Sequence, residues 1–366
     1  MRVEREIAGF AFPFAAGVIA AVLTGGSPCI IKPTYHILAL TFTLSSALLL
    51  MHTARREWNP AAQWCATVFC ALSCGILIGI SGKEMSVSAV SSDGWLIRLA
   101  EGCAVRMQAA IDSIAFADSS TGGILKALLT GDRSGITPEV SEAFRASGAS
   151  HILALSGLHL GIIYGIVSKT LSVYGNSTAM RTARSVLIMS ACGLYTLATG
   201  AGASITRAFM FIVLKETAEI AGRQTSLKGL LAAALILHLA FDPTAATDIG
   251  FQLSYAAMLG IAYIFPYLKD MWKNTWKGLK WIWNSAALSL SCQITTGPLA
   301  YLYFGTFPQH FLLTNLLALP LATLIIPAGL LTTVLSMAGL CPDFISKGTE
   351  CLTQVLLETL RIISLM

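Results

Sequence analysis

The side chains best suited to chemistry in an apolar setting gather in Gly148-Ala149-Ser150-His151-Ile152-Leu153-Ala154-Leu155-Ser156-Gly157-Leu158-His159-Leu160-Gly161. The stretch is apolar enough to enter a membrane, yet it holds His151, Ser156 and His159. Read as one helix, it places these three within an arc of roughly 140°. Gly157, Gly161 and Gly165 recur at every fourth position on the other side, a ridge on which a second helix can approach closely. Polar groups at such depth face a bundle interior or a water-filled cavity. Imidazoles there can line a path, shuttle protons or act as structural hydrogen-bonding groups, and the residues alone leave these readings open. A single metal ion does not fit the two histidines, which lie about two helical turns apart. Ser156 and His159 are three residues apart and can touch, as a nucleophile and its base would. Against that reading, a same-helix pair points roughly parallel, and no Gly-x-Ser-Gly context surrounds the serine.

Further polar stripes lie downstream. Asp248, Gln252 and Tyr255 share one helical face; Ser285, Ser289, Gln293 and Thr296 share another just before Pro298; Asn315 sits deep in an apolar run, upstream of Pro320. A single stripe is ordinary interhelical hydrogen bonding, whereas several converging stripes make a hydrated pathway. Arg207 is a cation that can meet a phosphate or snorkel to an interface. Tyr255, Tyr301 and Tyr303 can stack on bases, or simply pack and form an interfacial belt.

The elements that must carry these residues are membrane helices. Hydrophobic residues make up 55% of the 366-residue chain and charged residues only 12%, about half the charged share of a soluble domain. The net charge of +5 is what basic cytoplasmic loops supply and does not by itself imply nucleic acid. The nine cysteines form no CxxC pair; Cys65, Cys70 and Cys74 read as small core residues of one span. The expected fold is an all-α polytopic membrane protein with about ten transmembrane helices plus interfacial amphipathic helices. Residues 1–81 supply the first spans, at Ile7–Leu23, Tyr35–Met51 and Ala62–Ile80. Residues 82–149 form an extracytoplasmic amphipathic and loop region, with helices over Trp95–Phe116 and Gly123–Thr130 and a third started by Thr137 and Pro138. Residues 150–366 supply spans at Ser150–Val167, Ser185–Ala198, Ile205–Ile220, Leu227–Phe241, Ile249–Tyr267 and Trp281–Tyr303. The run Phe311–Leu340 contains Pro320 and Pro327 and exceeds one span, so a broken helix or tight hairpin is expected. Thr349–Ile362, with Glu350, Gln354, Glu358 and Arg361 along one side, reads as interfacial.

Basic residues fall in alternate loops: Arg55 and Arg56, then Lys169, Arg181 and Arg184, then Arg223 and Lys228, then Lys269, Lys273, Lys277 and Lys280. The loops Asp242–Asp248 and Gly305–His310 carry none. This positive-inside pattern places the N-terminus in the cytoplasm.

His151-Ile152-Leu153-Ala154-Leu155-Ser156-Gly157-Leu158-His159 resembles the HLLAISGLH motif of the ComEC-type competence membrane proteins. Gly250-Phe251-Gln252-Leu253-Ser254-Tyr255 resembles that family's GFQLSF element, Thr206-Arg207-Ala208-Phe209-Met210 its RAxxM element, and Asn315-Leu316-Leu317-Ala318-Leu319-Pro320-Leu321 its NLLxxPL-type element. The matches cover roughly Gly123 to Leu340. The resemblance implies a multi-pass protein of the bacterial inner membrane that conducts single-stranded DNA into the cytoplasm in natural transformation, without a cofactor and without being an enzyme. It implies a path lined by His151, Ser156, His159, Arg207, Gln252, Tyr255, Gln293 and Asn315. The implied partners are single-stranded DNA, the lipid bilayer, a separate DNA receptor, a nuclease, and cytoplasmic helicase and single-strand-binding proteins; homo-oligomerisation stays open. Full-length members carry an OB-like domain and many a metallo-β-lactamase-like domain. Ser81–Thr121 is too short for the first, and no HxHxDH motif is present for the second, so the expectation is a bare membrane core with no metal chemistry. Two rival readings remain: a small-molecule or ion-coupled transporter, which broken helices near Pro320 and Pro327 suit, and an intramembrane serine hydrolase at Ser156.

Overall fold

The computed structural model describes residues 2–24, 43, 60–81, 94–173, 177–272, 276–305 and 310–366. Within them every regular element is a helix. Apart from Thr43, the expected span Tyr35–Met51 lies outside the described residues. The chain divides into two compact units, residues 1–91 with 221–258 and residues 92–220 with 259–366; the sequence boundaries at 81 and 149 do not coincide with these.

The first unit contains α1 (Arg2–Thr24), α2 (Pro60–Ser81), α10 (Leu227–Phe241) and α11 (Ile249–Leu259). Its tightest contact is between α1 and α2. Small residues recur every fourth position on both, Gly17 and Ala21 on one, Ala71, Gly75 and Gly79 on the other. A Cβ added at Gly17 would strike the Leu72 carbonyl oxygen, and one at Gly75 the Phe14 carbonyl oxygen. The backbones therefore touch, which only glycine permits here.

The second unit runs through α3 (Trp95–Asp112), α4 (Ser119–Thr130), α5 (Pro138–Ala146), α6 (Ser150–Leu153), α7 (Gly157–Leu171), α8 (Thr178–Ala198) and α9 (Ala203–Ile220). It resumes with a π-helical turn (Gly260–Ile264), α12 (Phe265–Met271), α13 (Lys277–Phe304), α14 (Phe311–Met337) and α15 (Asp343–Ser364). Helix α4 is the hub. Ile124, Leu125, Ala127, Leu128 and Leu129 are buried among Phe144, Ile152, Ala322, Ile325, Ile326, Leu356 and Leu360 of α5, α6, α14 and α15. The segment read from sequence as a helix, Gly123–Thr130, within the amphipathic and loop region is thus the centre of a core. Asp118 caps α4 by accepting the Ser120 N–H at 2.9 Å, and Gly131, at φ 81°, ends it in the left-handed region that glycine tolerates.

Two expectations are corrected. Phe311–Met337 is one continuous helix despite Pro320 and Pro327. Its buried side, from Thr314 through Ala318, Ala322 and Ile326 to Thr333, is held along its length, so packing overrides the loss of two backbone donors. Glu350 does not lie along a solvated side of α15: it is 8% exposed and accepts the Asp118 N–H at 2.7 Å. Two helical stretches among the described residues, Ile249–Met271 and Phe311–Met337, are long and apolar enough to cross a membrane; Gly9–Leu23, Trp64–Gly79, Gly157–Leu171 and Leu227–Phe241 are shorter apolar helices.

Candidate functional site

The stretch expected to be one span, Ser150–Val167, is two helices. α6 ends at Leu153, Ala154 is extended (φ −77°, ψ 128°), and Ser156 is extended again (φ −127°, ψ 173°) before α7 begins at Gly157. The shared arc of His151, Ser156 and His159 therefore does not exist, because they do not belong to one helix. What replaces it is a cap. The Leu158 N–H donates to Ser156 Oγ at 3.3 Å, and the Ser156 N–H donates to His159 Nδ1 at 3.2 Å. Ser156 Oγ also lies 3.1 Å from that nitrogen. His159 thus plays the part that Glu or Gln plays in a capping box. Since Nδ1 accepts from an obligate backbone donor, the ring proton resides on Nε2. His159 is fully buried, and Nε2 has no hydrogen-bond partner among the described residues. A buried N–H without an acceptor costs about 1–3 kcal/mol.

The hydrolase geometry is correspondingly weakened. Ser156 and His159 are within reach of each other, but Nδ1 is engaged by the serine's own backbone N–H and the ring is buried.

The upstream side of the break is fixed by α5 and α14. Thr137 caps α5, with Pro138 in its first turn, as the sequence indicates. Gly148 takes φ 78°, turning the chain so that the Ala149 N–H reaches Phe144 O at 2.8 Å. Thr314 Oγ1 donates to Ser147 O at 2.6 Å, fastening the first turn of α14 to this corner. His151 is exposed; its Nδ1 lies 3.1 Å from Gly148 O, and the Asn315 side chain is within hydrogen-bonding reach of its ring. Asn315 Oδ1 is buried without a hydrogen-bond partner among the described residues. The sequence-selected His151 and Asn315 are thus brought together by α6 and α14, and Ser156 and His159 by the cap.

Arg207 is 4% exposed on α9, so it is enclosed rather than reaching out to a surface. Its neighbour Ala208 lies where a Cβ built on Gly157 would be 3.4 Å from it, which sets α9 against the start of α7. Gly161 and Gly165 are different: a Cβ on either would meet nothing within 4 Å. Of the expected packing ridge, only Gly157 has a close neighbour among the described residues. Gln293 is half-buried on α13. Gln252 and Tyr255 belong to the first unit. Gln252 Nε2 donates to Ala246 O at 2.9 Å, and Tyr255, 6% exposed, packs its ring 4.5 Å from Phe251 with its hydroxyl 3.5 Å from His238 Nδ1. Enclosed this way, Tyr255 presents no face for a base to stack on. Tyr301 and Tyr303 are exposed on α13.

Sequence reasoning passed over Thr314 and Ser147, whose bond across the fold leaves no local trace. It also passed over Glu216 and Lys215, and there a signal existed: with Glu219 they make three charges inside the mostly apolar Phe209–Ile220.

The second unit is thus an all-helical core with a capped helix break, flanked by an enclosed arginine and by a histidine–asparagine pair. The family model described as "Competence protein" matches residues 128–366, which takes in the break and all of α5–α15, and the chain belongs to that family. It is 27% identical over 219 residues to "ComE operon protein 3" of Bacillus subtilis (strain 168), covering 59% of this chain and 26% of that protein. It is 26% identical over 316 residues to "Competence protein ComA" of Neisseria gonorrhoeae, covering 80% of this chain and 44% of that protein. The chain therefore spans less than half the length of either relative. No solved structure matches it.

Proposed function

We propose that the chain is the membrane-embedded part of a DNA-uptake system, and that its core conducts single-stranded DNA across the bacterial inner membrane during natural transformation. The observation that carries this reading is the family membership over residues 128–366, which includes the helix break and its polar residues. Membrane residence is supported by α14, which exposes Leu317, Leu324 and Leu331, a seven-residue repeat that water disfavours and lipid accepts. About ten spans with a cytoplasmic N-terminus complete this reading.

In this scheme the break between α6 and α7 supplies the hydroxyl of Ser156 and the His151–Asn315 pair at membrane depth, with the buried His159 holding the cap and the guanidinium of Arg207 on α9 beside it. Backbone carbonyls freed at the break and hydroxyl or imidazole donors suit a hydrated strand, and one cation suits its phosphates. Gln293 extends the polar lining on α13. The chain acts by conduction and not as an enzyme. A DNA receptor, a nuclease, a helicase and single-strand-binding proteins act beside it as separate partners, or as parts of a longer protein.

The test is transformation frequency in a competent host from which the gene is deleted, complemented with wild type, Arg207→Ala, His159→Ala and Asn315→Ala, each verified in the membrane fraction. Wild type restores transformation and the variants do not. Unchanged transformation in the deletion strain refutes the reading and turns attention to small-molecule transport.

A further inference from the structure

Helices α7, α8 and α9 pack around Leu160, Ile188, Cys192, Ile205 and Ile212. One layer of this small core is polar. Glu216, on α9, is 1% exposed, and its Oε1 accepts the Tyr164 hydroxyl of α7 at 2.8 Å. The same phenol oxygen accepts from Lys215 Nζ at 2.6 Å; the ammonium also lies 4.6 Å from the Tyr164 ring centroid. Lys215 itself is exposed. An exposed ammonium, a phenol and a buried carboxylate are therefore joined in series, and the phenol donates to one while accepting from the other. Gly193 meets Phe209 and Arg184 pairs with Glu219 at 2.6 Å, so α8 and α9 run antiparallel in a register that puts Ser185 level with Glu216. The Ser185 hydroxyl is buried and has no hydrogen-bond partner among the described residues.

Stability alone does not require an acid at this position, because apolar replacements of buried ion pairs are commonly as stable or more so. Acids within membrane bundles mark ion or proton routes. Lys215 already supplies the compensating cation, which leaves the proton as the mobile species. We propose that Lys215, Tyr164 and Glu216 form a proton relay that loads and unloads a buried carboxylate between α7 and α9.

The transfer balances. The Lys215 ammonium gives an N–H proton to the phenol oxygen while the phenol gives its own proton to Glu216 Oε1. The glutamate becomes a neutral acid, the phenol is restored, and the exposed lysine regains its proton from solvent. The other titratable and charged groups on the packed helices are His159 and Lys169 on α7, Arg181, Arg184, Cys192 and Tyr195 on α8, and Arg207 and Glu219 on α9. Arg184 and Glu219 are committed to each other, and Cys192 lies within electrostatic reach of Glu216. Loading Glu216 exchanges a charge-assisted bond to α7 for a weaker neutral one. Since α7 begins at the Ser156–His159 cap, the charge state of this layer regulates the break; that consequence rests on the DNA-path reading, whereas the relay does not.

Infrared difference spectroscopy on the purified full chain, stepped in pH, tests the relay without DNA. On acidification with helicity intact, the carbonyl stretch of a protonated carboxylic acid appears in the wild type and is missing in Glu216→Gln. After a pH jump, Tyr164→Phe and Lys215→Met slow its appearance by about tenfold or more. No acid band in the wild type, or a band that survives Glu216→Gln, overturns the proposal. So do rates in both other variants within about twofold of wild type, and this kinetic arm decides alone if Glu216→Gln does not fold. Because DNA is absent throughout, failure here leaves the transformation result standing, and the reverse.

Discussion

The same sequence pattern, small residues every fourth position on an apolar helix, has opposite outcomes in the two units. On α1 and α2 the glycines are filled: Gly17 and Gly75 lie against backbone carbonyls of the facing helix. On α7, Gly161 and Gly165 face open space, and Gly161 is exposed. A glycine in a helix costs roughly 0.8–1.0 kcal/mol relative to alanine. On α1 and α2 that cost is offset by close packing. On α7 no described residue packs close enough to offset it at Gly161 or Gly165. The pattern predicts that two helices can approach; it does not say which second helix is present.

The largest expected effect is on the filled pair. Gly17→Leu or Gly75→Leu drives side-chain atoms into the opposing backbone and destabilises the first unit by about 3 kcal/mol, measured as loss of thermal stability or protease resistance in detergent. Retention of wild-type stability would dissolve the comparison at its stronger end.

Intermediate effects belong to the helix break. Ser156→Ala removes the cap of α7 and costs about 1 kcal/mol. Thr314→Val removes the 2.6 Å bond to Ser147 O, leaves a buried carbonyl unsatisfied and costs about 1–3 kcal/mol. Both are read from unfolding midpoints in detergent. Neither substitution touches α1 or α2, so hydrogen exchange in the first unit stays at wild-type rates. Exchange that rises equally in both units would show that they unfold together.

How far the sequence reveals this depends on how local the cause is. The start of α5 was legible because Thr137 and Pro138 are a complete local signal. The break at Ala154–Ser156 was not, because continuous apolar character outweighed a cap whose third member is histidine instead of Glu or Gln. The prolines of α14 misled in the opposite direction: two local breakers yielded to a buried face spanning the whole helix. The burial of Glu350 was hidden because its partner, the Asp118 N–H, lies far away in sequence. The site residues were legible as residue types, but pairing His151 with Asn315 required the corner that Thr314 and Ser147 hold together.

Acid should separate the units further, by a smaller amount. The Ser120 hydroxyl and backbone N–H hold the Asp118 carboxyl below its ordinary value of 3.8. A depressed carboxylate contributes stability that is present above the unfolded value and is lost as pH falls through the lower, folded one. The second unit therefore loses this contribution below about pH 4. Asp118→Asn keeps a capping acceptor and removes the titration, so its melting temperature falls less than that of the wild type between neutral pH and pH 3. An equal fall in both would assign the acid sensitivity to other carboxylates.

The smallest effect on stability, and the sharpest test of the comparison, is at the open ridge. Gly161→Leu has room for its side chain and gains helix propensity, so it leaves the fold within about 0.5 kcal/mol of wild type or raises its stability. Gly161→Ala stabilises by up to about 1 kcal/mol, the opposite sign to Gly17→Ala. If α7 flanks the DNA path, Gly161→Leu lowers transformation while membrane abundance and unfolding midpoint stay unchanged. If instead Gly161→Leu lowers the midpoint as much as Gly17→Leu, the ridge is packed after all and the contrast between the two regions fails. Unchanged stability with unchanged transformation would remove the α7 ridge from the path and leave the polar groups at its start as the lining that matters.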